Sequence, residues 1–272
     1  MDFLTRIIAR KKQDVARAAA ENPPAALQRI AAARRDQRPF FKALKQPGQT
    51  GVNIIAEIKR ASPSKGPICP DLDPVHLAVQ YERGGAAALS VLTDGPFFDA
   101  RPGDLQAARN ATRLPVLRKD FMVASYQIYE SAAMGADAVL LIVRVLSARQ
   151  LEDYLDLCRA LAIDALVEIH SPADLEKASA AGAQLIGINN RNLTNFATDI
   201  GNAVELVSHL APGQVPVAAS GIGSPLDIRA NLDAGIFNFL IGESLVRAAD
   251  PAAFIKTLSA AGCRRTPPES GT

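Results

Sequence analysis

The sequence predicts a (β/α)8 TIM barrel, an α/β fold, preceded by an N-terminal helical extension. From residue 50 onward, short apolar runs rich in β-formers alternate with Ala-rich segments whose charges recur at helical spacing. There are eight such runs, and their starts recur about every 26 residues, enough for a strand, a crossover helix and two loops. Parallel barrel strands are covered on both faces, so runs that are apolar throughout are expected. A doubly wound sheet is the alternative, although it usually needs fewer strands.

The N-terminal extension, residues 1–45, is predicted to form two helices separated by Asn22-Pro23-Pro24 and packed on the barrel. It carries 11 Lys and Arg against 4 Asp and Glu. A nucleic-acid-binding arm is one interpretation of that charge. An amphipathic helix with its cations facing solvent explains it more simply, because the first helix has a stripe at i, i+3 and i+4 spacing. The stripe comprises Phe3, Leu4, Ile7, Ile8, Lys11 and Val15.

The barrel is predicted to occupy residues 50–262 of a single domain. Its strands are expected at 53–58, 87–93, 115–119, 138–143, 165–169, 185–188, 215–219 and 237–241. Helix signals lie between them: Ser171 is a candidate N-cap before Pro172, and Gly182 follows as a stop signal. Glycines at 84–85, 135 and 235 serve the same purpose in other units. Residues 264–272, polar and containing proline, are expected to form a flexible tail.

Composition excludes several classes of protein. With 48% hydrophobic and 21% charged residues, the chain has the profile of an ordinary globular protein. Its longest strongly apolar run, 138–143, is far below the ~20 residues that span a bilayer, and the N-terminus lacks the apolar core of a signal peptide. The three cysteines form no CxxC pair, and the three histidines show no metal-ligand spacing. We therefore expect a cytoplasmic protein without a metal site or membrane association.

Polar residues at the ends of the apolar runs are the candidate catalytic groups, because a barrel enzyme builds its active site at the carboxyl ends of its strands. The first run ends in Glu57 and Lys59, which strand periodicity places on one face. A structural ion pair would explain those two alone. However, Lys119 ends the third run, Glu168 the fifth, and Asn189 and Arg191 the sixth. Convergence of these groups on one barrel mouth predicts an active site.

Glycine-rich loops after the seventh and eighth runs predict a phosphate site. The first contains Ser220 and Gly221, and the second contains Gly242, Glu243 and Ser244. Barrel enzymes often bind phosphate with these two loops and the N-terminus of a short extra helix. Glycine lets backbone N–H groups approach an oxyanion closely. We expect a small phosphorylated molecule as the partner.

The motifs together resemble the indole-3-glycerol phosphate synthase family, and the resemblance covers the whole barrel. It is carried by Ile-Ala-Glu-Ile-Lys-Arg-Ala-Ser-Pro-Ser-Lys-Gly (55–66), Arg-Lys-Asp-Phe (118–121), Val-Glu-Ile-His (167–170), Ile-Gly-Ile-Asn-Asn-Arg-Asn-Leu (186–193), Ala-Ser-Gly-Ile (219–222) and Ile-Gly-Glu-Ser-Leu (241–245). The first two motifs are specific in combination. Generic phosphate-binding barrels share only the last two.

The resemblance implies conversion of 1-(2-carboxyphenylamino)-1-deoxyribulose 5-phosphate to indole-3-glycerol phosphate. Ring closure, loss of CO2 and loss of water take place without a cofactor. Ring closure builds negative charge on the ketone oxygen, so Lys119 is expected to be the general acid. Glu168 is then the expected base for dehydration. Glu57 is the second carboxylate, which holds Lys119 or assists the departing hydroxyl.

The substrate's benzoate and phosphate require two anion sites. Lys59 and Arg191 suit the carboxylate, although the stem of Lys59 is long enough to reach either anion, and Asn189 suits the ribulose hydroxyls. Around the phosphate we expect Ser62, Gly221, Gly242 and the N–H of Glu243. Phe121, Ser220 and Ser244 complete the predicted binding residues.

One residue departs from the family pattern: Ala219 stands where the family commonly has Glu before Ser-Gly-Ile, which removes an ionisable group from the mouth. Another phosphate-sugar barrel enzyme, such as a tryptophan- or histidine-pathway isomerase, is the alternative function. Such isomerases usually work with an Asp/Cys or Asp/Asp pair, whereas these strand ends offer Lys and Glu. No nucleic-acid partner is expected, and a monomer is the default expectation.

Overall fold

The computed structural model describes residues 3–192 and 197–263. Within these residues, eight parallel strands close into a barrel, and a small two-stranded hairpin follows the first of them. The strands are β1 (Asn53–Ile58), β2 (Ala61–Ser62), β3 (Gly66–Pro67), β4 (Ala88–Leu92), β5 (Val116–Lys119), β6 (Ala138–Ile142), β7 (Asp164–Ile169), β8 (Leu185–Asn189), β9 (Val215–Ala219) and β10 (Asn238–Ile241). The predicted tail, 264–272, lies outside the described residues.

The barrel order follows the chain, from β1 through β4 to β10, and β10 pairs with β1 to close it. At the closure, Ile54 is in register with Phe239 and Ile55 with Leu240. Each predicted apolar run corresponds to a barrel strand to within one residue at either end. The predicted (β/α)8 fold is confirmed. The hairpin β2–β3 was not anticipated.

Helices separate the barrel strands and cover the outside of the barrel. They are α1 (Phe3–Glu21), α2 (Pro24–Ala33), α3 (Phe40–Leu44), α4 (Pro74–Gly84), α5 (Gly95–Phe98), α6 (Asp104–Ala111), α7 (Ser125–Ala133), α8 (Ala148–Ala160), α9 (Pro172–Ala180), α10 (Gly201–Leu206), α11 (Pro225–Asp233), α12 (Glu243–Val246) and α13 (Pro251–Ser259). As expected for α9, the Ser171 side chain accepts a hydrogen bond from the Asp174 N–H. Gly85, which follows α4, has a φ of +89°, a conformation that favours glycine.

Two apolar clusters hold the fold together. One fills the interior of the barrel, and the other lies between the strands and the surrounding helices. Along β1, Ile55 belongs to the interior cluster while its neighbours Ile54 and Ala56 belong to the outer one. This alternation is the reason that every second residue at a strand end faces the barrel mouth.

The N-terminal extension contains three helices rather than the two predicted. The additional helix α3 places Phe40 and Leu44, both fully buried, in the interior cluster with Leu185 and Val215 near the amino-terminal ends of the strands. Helix α2 packs along α7. Helix α1 lies at the opposite end, where Phe3 contacts Phe97 with ring centroids 5.7 Å apart. The extension therefore closes one end of the barrel and covers part of the other.

The cations of α1 divide between solvent and the interior, which corrects the expectation that they all face solvent. Arg6, Arg10, Lys12 and Arg17 are exposed, but Lys11 is buried. Its ammonium lies 2.6 Å from Asp94 and 2.6 Å from Asp120. Burial lowers the pKa of Lys11, but the two carboxylates outweigh it, and the pKa is raised. Lys11 thus fastens α1 to the loops that follow β4 and β5.

Replacing Lys11 with Met is expected to lower the free energy of unfolding by about 3 kcal/mol, because two buried carboxylates lose their cation. Burial raises the pKa of Asp120, but Arg118 and Lys11 outweigh it, so the pKa lies below the ordinary 3.8. A carboxylate with a lowered pKa stabilises the fold above its unfolded pKa, and that contribution is lost as the pH falls. The deficit in the free energy of unfolding of the Lys11→Met variant should therefore be largest near neutral pH and shrink below about pH 4.

Urea denaturation of the parent and the Lys11→Met variant at several pH values measures this deficit. The exposed neighbour provides the control, since Lys12→Met should change the free energy of unfolding by less than about 0.5 kcal/mol. Equal effects of the two substitutions would contradict the structural role of Lys11.

Candidate active site

A cavity of about 670 Å³ opens at the carboxyl ends of the strands. All thirteen residues predicted from the sequence to form the site line it: Glu57, Lys59, Ser62, Lys119, Phe121, Glu168, Asn189, Arg191, Ser220, Gly221, Gly242, Glu243 and Ser244. They come from six separate strand ends and loops, so it is closure of the barrel that brings them together. The volume is in the range expected for a small-molecule site.

Glu57, Lys59 and Lys119 form a charged cluster in this cavity. Nζ of Lys59 lies 2.6 Å from Oε1 of Glu57, and Nζ of Lys119 lies 3.8 Å from Oε2. Burial alone would raise the pKa of the Glu57 carboxyl, but the two ammonium groups outweigh it and hold that pKa below its usual range. Glu57 is therefore an anion that pairs with both lysines.

The arginines next to the two lysines have a different role. Arg60 is buried and pairs with Asp104, and Arg118 is buried and pairs with Asp120. Neither arginine lines the cavity, because adjacent residues at a strand end point to opposite faces. In each of these two pairs of adjacent cations, the lysine faces the cavity and the arginine forms a buried ion pair. The pairs are Lys59 with Arg60 and Lys119 with Arg118.

Glu168 occupies a different electrostatic environment from Glu57. It is 4% exposed and lines the cavity. Within the part of the chain that the structure describes, its charged-group contact is with His170, whose Nε2 lies 3.7 Å from Oε1. Glu57 and Glu168 thus differ in character: Glu57 pairs with two lysines, whereas Glu168 has no Lys or Arg side chain within ion-pair distance among the described residues.

A polar wall lies at the end of β8. Oδ1 of Asn189 accepts a hydrogen bond from the Arg191 N–H at 3.0 Å, and Nη1 of Arg191 donates to Oγ of Ser64 at 2.9 Å. Arg191 therefore bridges the β8 end to the loop after β1. Ser62 of the same loop has a buried Oγ without a hydrogen-bond partner among residues 3–192 and 197–263. These groups are placed to meet a polar ligand.

Two glycines shape the loops after β9 and β10. Gly221 has a φ of +79°, and an added Cβ there would lie 2.6 Å from Cγ2 of Thr198. A Cβ at Gly242 would collide with the Glu57 carboxylate and lie 2.9 Å from Nζ of Lys59. The ammonium of Lys59 is therefore next to the Gly242 loop. A larger residue at either position would fill part of the cavity.

The short helix α12 begins directly after Gly242. The Glu243 carboxylate turns toward Arg247, with Oε1 3.4 Å from Nε, so its backbone N–H is the group suited to an anion. Oγ of Ser244 lies 3.4 Å from the carbonyl oxygen of Ile222, which links the two glycine loops. Ala219 lines the cavity beside them, in register with Asn189 and Leu240.

An apolar wall faces the charged cluster, and its contribution from α1 was not predicted. Phe3, Leu4 and Ile7 line the cavity together with Phe98 and Phe121, whose ring centroids are 6.3 Å apart. The apolar stripe of α1 was visible in the sequence but was interpreted as packing on the barrel. The pattern alone does not reveal that its first turn covers the mouth.

No group of three or more His, Cys, Asp or Glu side chains within residues 3–192 and 197–263 is arranged to hold a metal ion. No helix among those residues is both long and apolar enough to cross a membrane.

A family model described as indole-3-glycerol phosphate synthase matches residues 4–258. An indole-3-glycerol phosphate synthase of Desulfosudis oleivorans is 58% identical over 258 residues, which cover 94% of this chain and 98% of the relative. One of Syntrophobacter fumaroxidans is 52% identical over 257 residues, with 94% of this chain and 97% of the relative covered.

Solved structures with similar folds are much more distant in sequence. A 3-hexulose-6-phosphate synthase aligns with a TM-score of 0.61 at 17% identity, covering 77% of this chain and 99% of the other. The thiamine phosphate pyrophosphorylase of Pyrococcus furiosus aligns with a TM-score of 0.58 at 15% identity, covering 81% and 97%. These similarities show the barrel fold alone.

Proposed function

The chain belongs to the indole-3-glycerol phosphate synthase family, and from that premise we propose how its residues carry out the reaction. The protein is an indole-3-glycerol phosphate synthase, a carboxy-lyase of tryptophan biosynthesis. It closes a ring on 1-(2-carboxyphenylamino)-1-deoxyribulose 5-phosphate and removes CO2 and water. We base the assignment of roles on one observation, the cluster of Glu57, Lys59 and Lys119 at the cavity wall.

Lys119 is the general acid of ring closure. As the aromatic carbon attacks the ketone, negative charge develops on the ketone oxygen, and an ammonium group can give it a proton. The position of Lys119 supports this role, since its ammonium lines the cavity and lies 3.8 Å from Oε2 of Glu57. Because Glu57 is itself kept ionised by two lysines, it suits the task of holding Lys119 better than that of donating a proton.

Glu168 is the base of the dehydration step. Losing water from the cyclised intermediate requires removal of a proton from carbon, and a carboxylate that is not paired with a lysine is better able to accept one. Glu168 is buried, lines the cavity and forms no ion pair with a lysine among the described residues, which supports this division of labour.

Lys59, Ser62 and the loops of Gly221, Gly242 and Ser244 form the phosphate site. The proximity of the Lys59 ammonium to the Gly242 loop favours the phosphate over the benzoate as its partner. The backbone N–H groups of Glu243 and its neighbours would surround the remaining oxygens, and the Ser62 hydroxyl, which has no hydrogen-bond partner among the described residues, can donate to them.

We assign the benzoate end of the substrate to Arg191 and the apolar wall, which line the same cavity. Arg191 is suited to the benzoate carboxylate, since a guanidinium can donate two parallel hydrogen bonds to it. Phe121 and Ser220 flank this region, and Asn189 is placed for the ribulose hydroxyls. The aromatic ring of the substrate would pack against the apolar side chains of α1 and Phe121.

The cellular setting is also a proposal. Cys69, Cys158 and Cys263 are free thiols, which supports a reducing, cytoplasmic location. We keep a monomer as the proposed state of assembly. The reaction chemistry calls for no cofactor, because the nitrogen of the cyclised intermediate can accept the electrons released with CO2.

Mixing the purified protein with the carboxyphenylamino-deoxyribulose phosphate should produce indole fluorescence. The chain contains no tryptophan, so the indole signal comes from product without a protein background. A matched reaction with the dephosphorylated substrate should be much slower if the glycine loops bind phosphate. Absence of product at micromolar enzyme would contradict the activity.

A further inference from the structure

His170 is a buried histidine that the reaction, as described, does not use. It follows β7 directly, and its side chain is 4% exposed. Neither ring nitrogen has a hydrogen-bond partner among residues 3–192 and 197–263. Burying a polar group without a partner costs free energy, so an unpaired imidazole in this position requires an explanation.

The surroundings of the ring keep it neutral near pH 7. Burial lowers the pKa of His170, and the nearby Arg144 and Lys119 act in the same direction. Glu168 and Asp174 raise the pKa but do not outweigh the burial. A neutral imidazole has one N–H donor and one acceptor nitrogen, so the ring can donate a hydrogen bond without adding a positive charge.

The backbone of His170 is held in place by the start of α9. Its N–H donates to Oδ2 of Asp174 at 2.9 Å, and the same oxygen accepts from Nε of Arg144 at 2.9 Å. Ser171 caps the helix at the next residue. The ring is therefore attached to a fixed point of the scaffold, immediately beyond the strand that carries Glu168.

We propose that His170 is a positioning residue for Glu168: its neutral imidazole donates Nε2–H to Oε1, which leaves Oε2 directed toward the substrate. This inference rests on the proposed role of Glu168 as the base. The present distance of 3.7 Å is longer than a hydrogen bond. Bonds between catalytic groups commonly shorten when the substrate binds.

The choice of a neutral donor has a chemical reason. An ammonium at hydrogen-bond distance, as Glu57 has in Lys59, holds a carboxylate ionised and makes it a poor proton acceptor. An imidazole N–H orients the carboxylate while leaving most of its basicity. The structure thus assigns different partners to the two carboxylates according to their roles.

Two substitutions at His170 separate orientation from packing. Replacing it with Phe keeps the ring volume but removes the donor, and should lower kcat by about tenfold or more with KM within twofold. The amide of His170→Gln can reach the position of Nε2, so this variant should retain kcat within about threefold.

A double-mutant cycle completes the test, with single-turnover assays at excess enzyme. In a Glu168→Gln background, His170→Phe should change the rate by less than about twofold, because the positioned carboxylate is absent. Equal losses in both backgrounds, or equal impairment by Phe and Gln, would overturn the inference. If Glu168→Gln retains parental kcat, the assignment of the base is wrong. If Glu168→Gln lowers kcat but His170→Phe does not, Glu168 remains the proposed base and only the positioning role of His170 is contradicted.

Discussion

The Lys119→Met variant is expected to lose about 10²- to 10⁴-fold in kcat, the range that removal of a general acid produces. The substitution keeps the length of the side chain and removes the proton that the ketone oxygen needs during ring closure. Ground-state affinity should change by less than about threefold, because the proposed anion sites of Lys59, Arg191 and the glycine loops remain. Steady-state kinetics and calorimetric titration with substrate measure the two quantities separately.

The control for this prediction is Lys256→Met, which removes an exposed lysine of α13. Its kcat and affinity should match those of the parent. Because ring closure precedes loss of CO2, the Lys119 variant should also release CO2 slowly. A kcat within threefold of the parent would exclude Lys119 as the acid.

That the candidate side chains line one cavity could be predicted because two simple features of the fold determine their positions. Strand alternation separates Lys59 from Arg60 and Lys119 from Arg118, and the barrel brings all strand ends to one mouth. Only the sequence pattern is needed for both arguments. The same reasoning explains why the predicted limits of the barrel strands agree with the observed limits to within one residue.

Features that depend on packing between distant segments could not be predicted. The sequence shows that α1 is amphipathic, but not that its first turn covers the cavity or that Lys11 inserts between Asp94 and Asp120. A lysine within an apolar stripe was the one available signal of a buried ion pair. The burial of His170 beside Glu168 likewise could not be predicted from the sequence.

The second large effect is expected for Glu168→Gln, which should also lower kcat by about 10²- to 10⁴-fold. The amide is close in size to the carboxylate but cannot accept the proton that leaves carbon during dehydration. Glu176→Gln, on the exposed face of α9, is the matched control.

The order of the chemical steps distinguishes the two variants beyond their rates. Ring closure and loss of CO2 precede dehydration, so the Glu168 variant should release CO2 faster than it forms the indole, and a dihydroindole intermediate, whose five-membered ring is not yet aromatic, should accumulate in a single turnover. The Lys119 variant is slowed at the earlier step and should form CO2 and indole at the same slow rate. Simultaneous measurement of CO2 and indole fluorescence tests this difference. If both products appeared at one slow rate in the Glu168 variant, Glu168 would act before decarboxylation rather than in the dehydration.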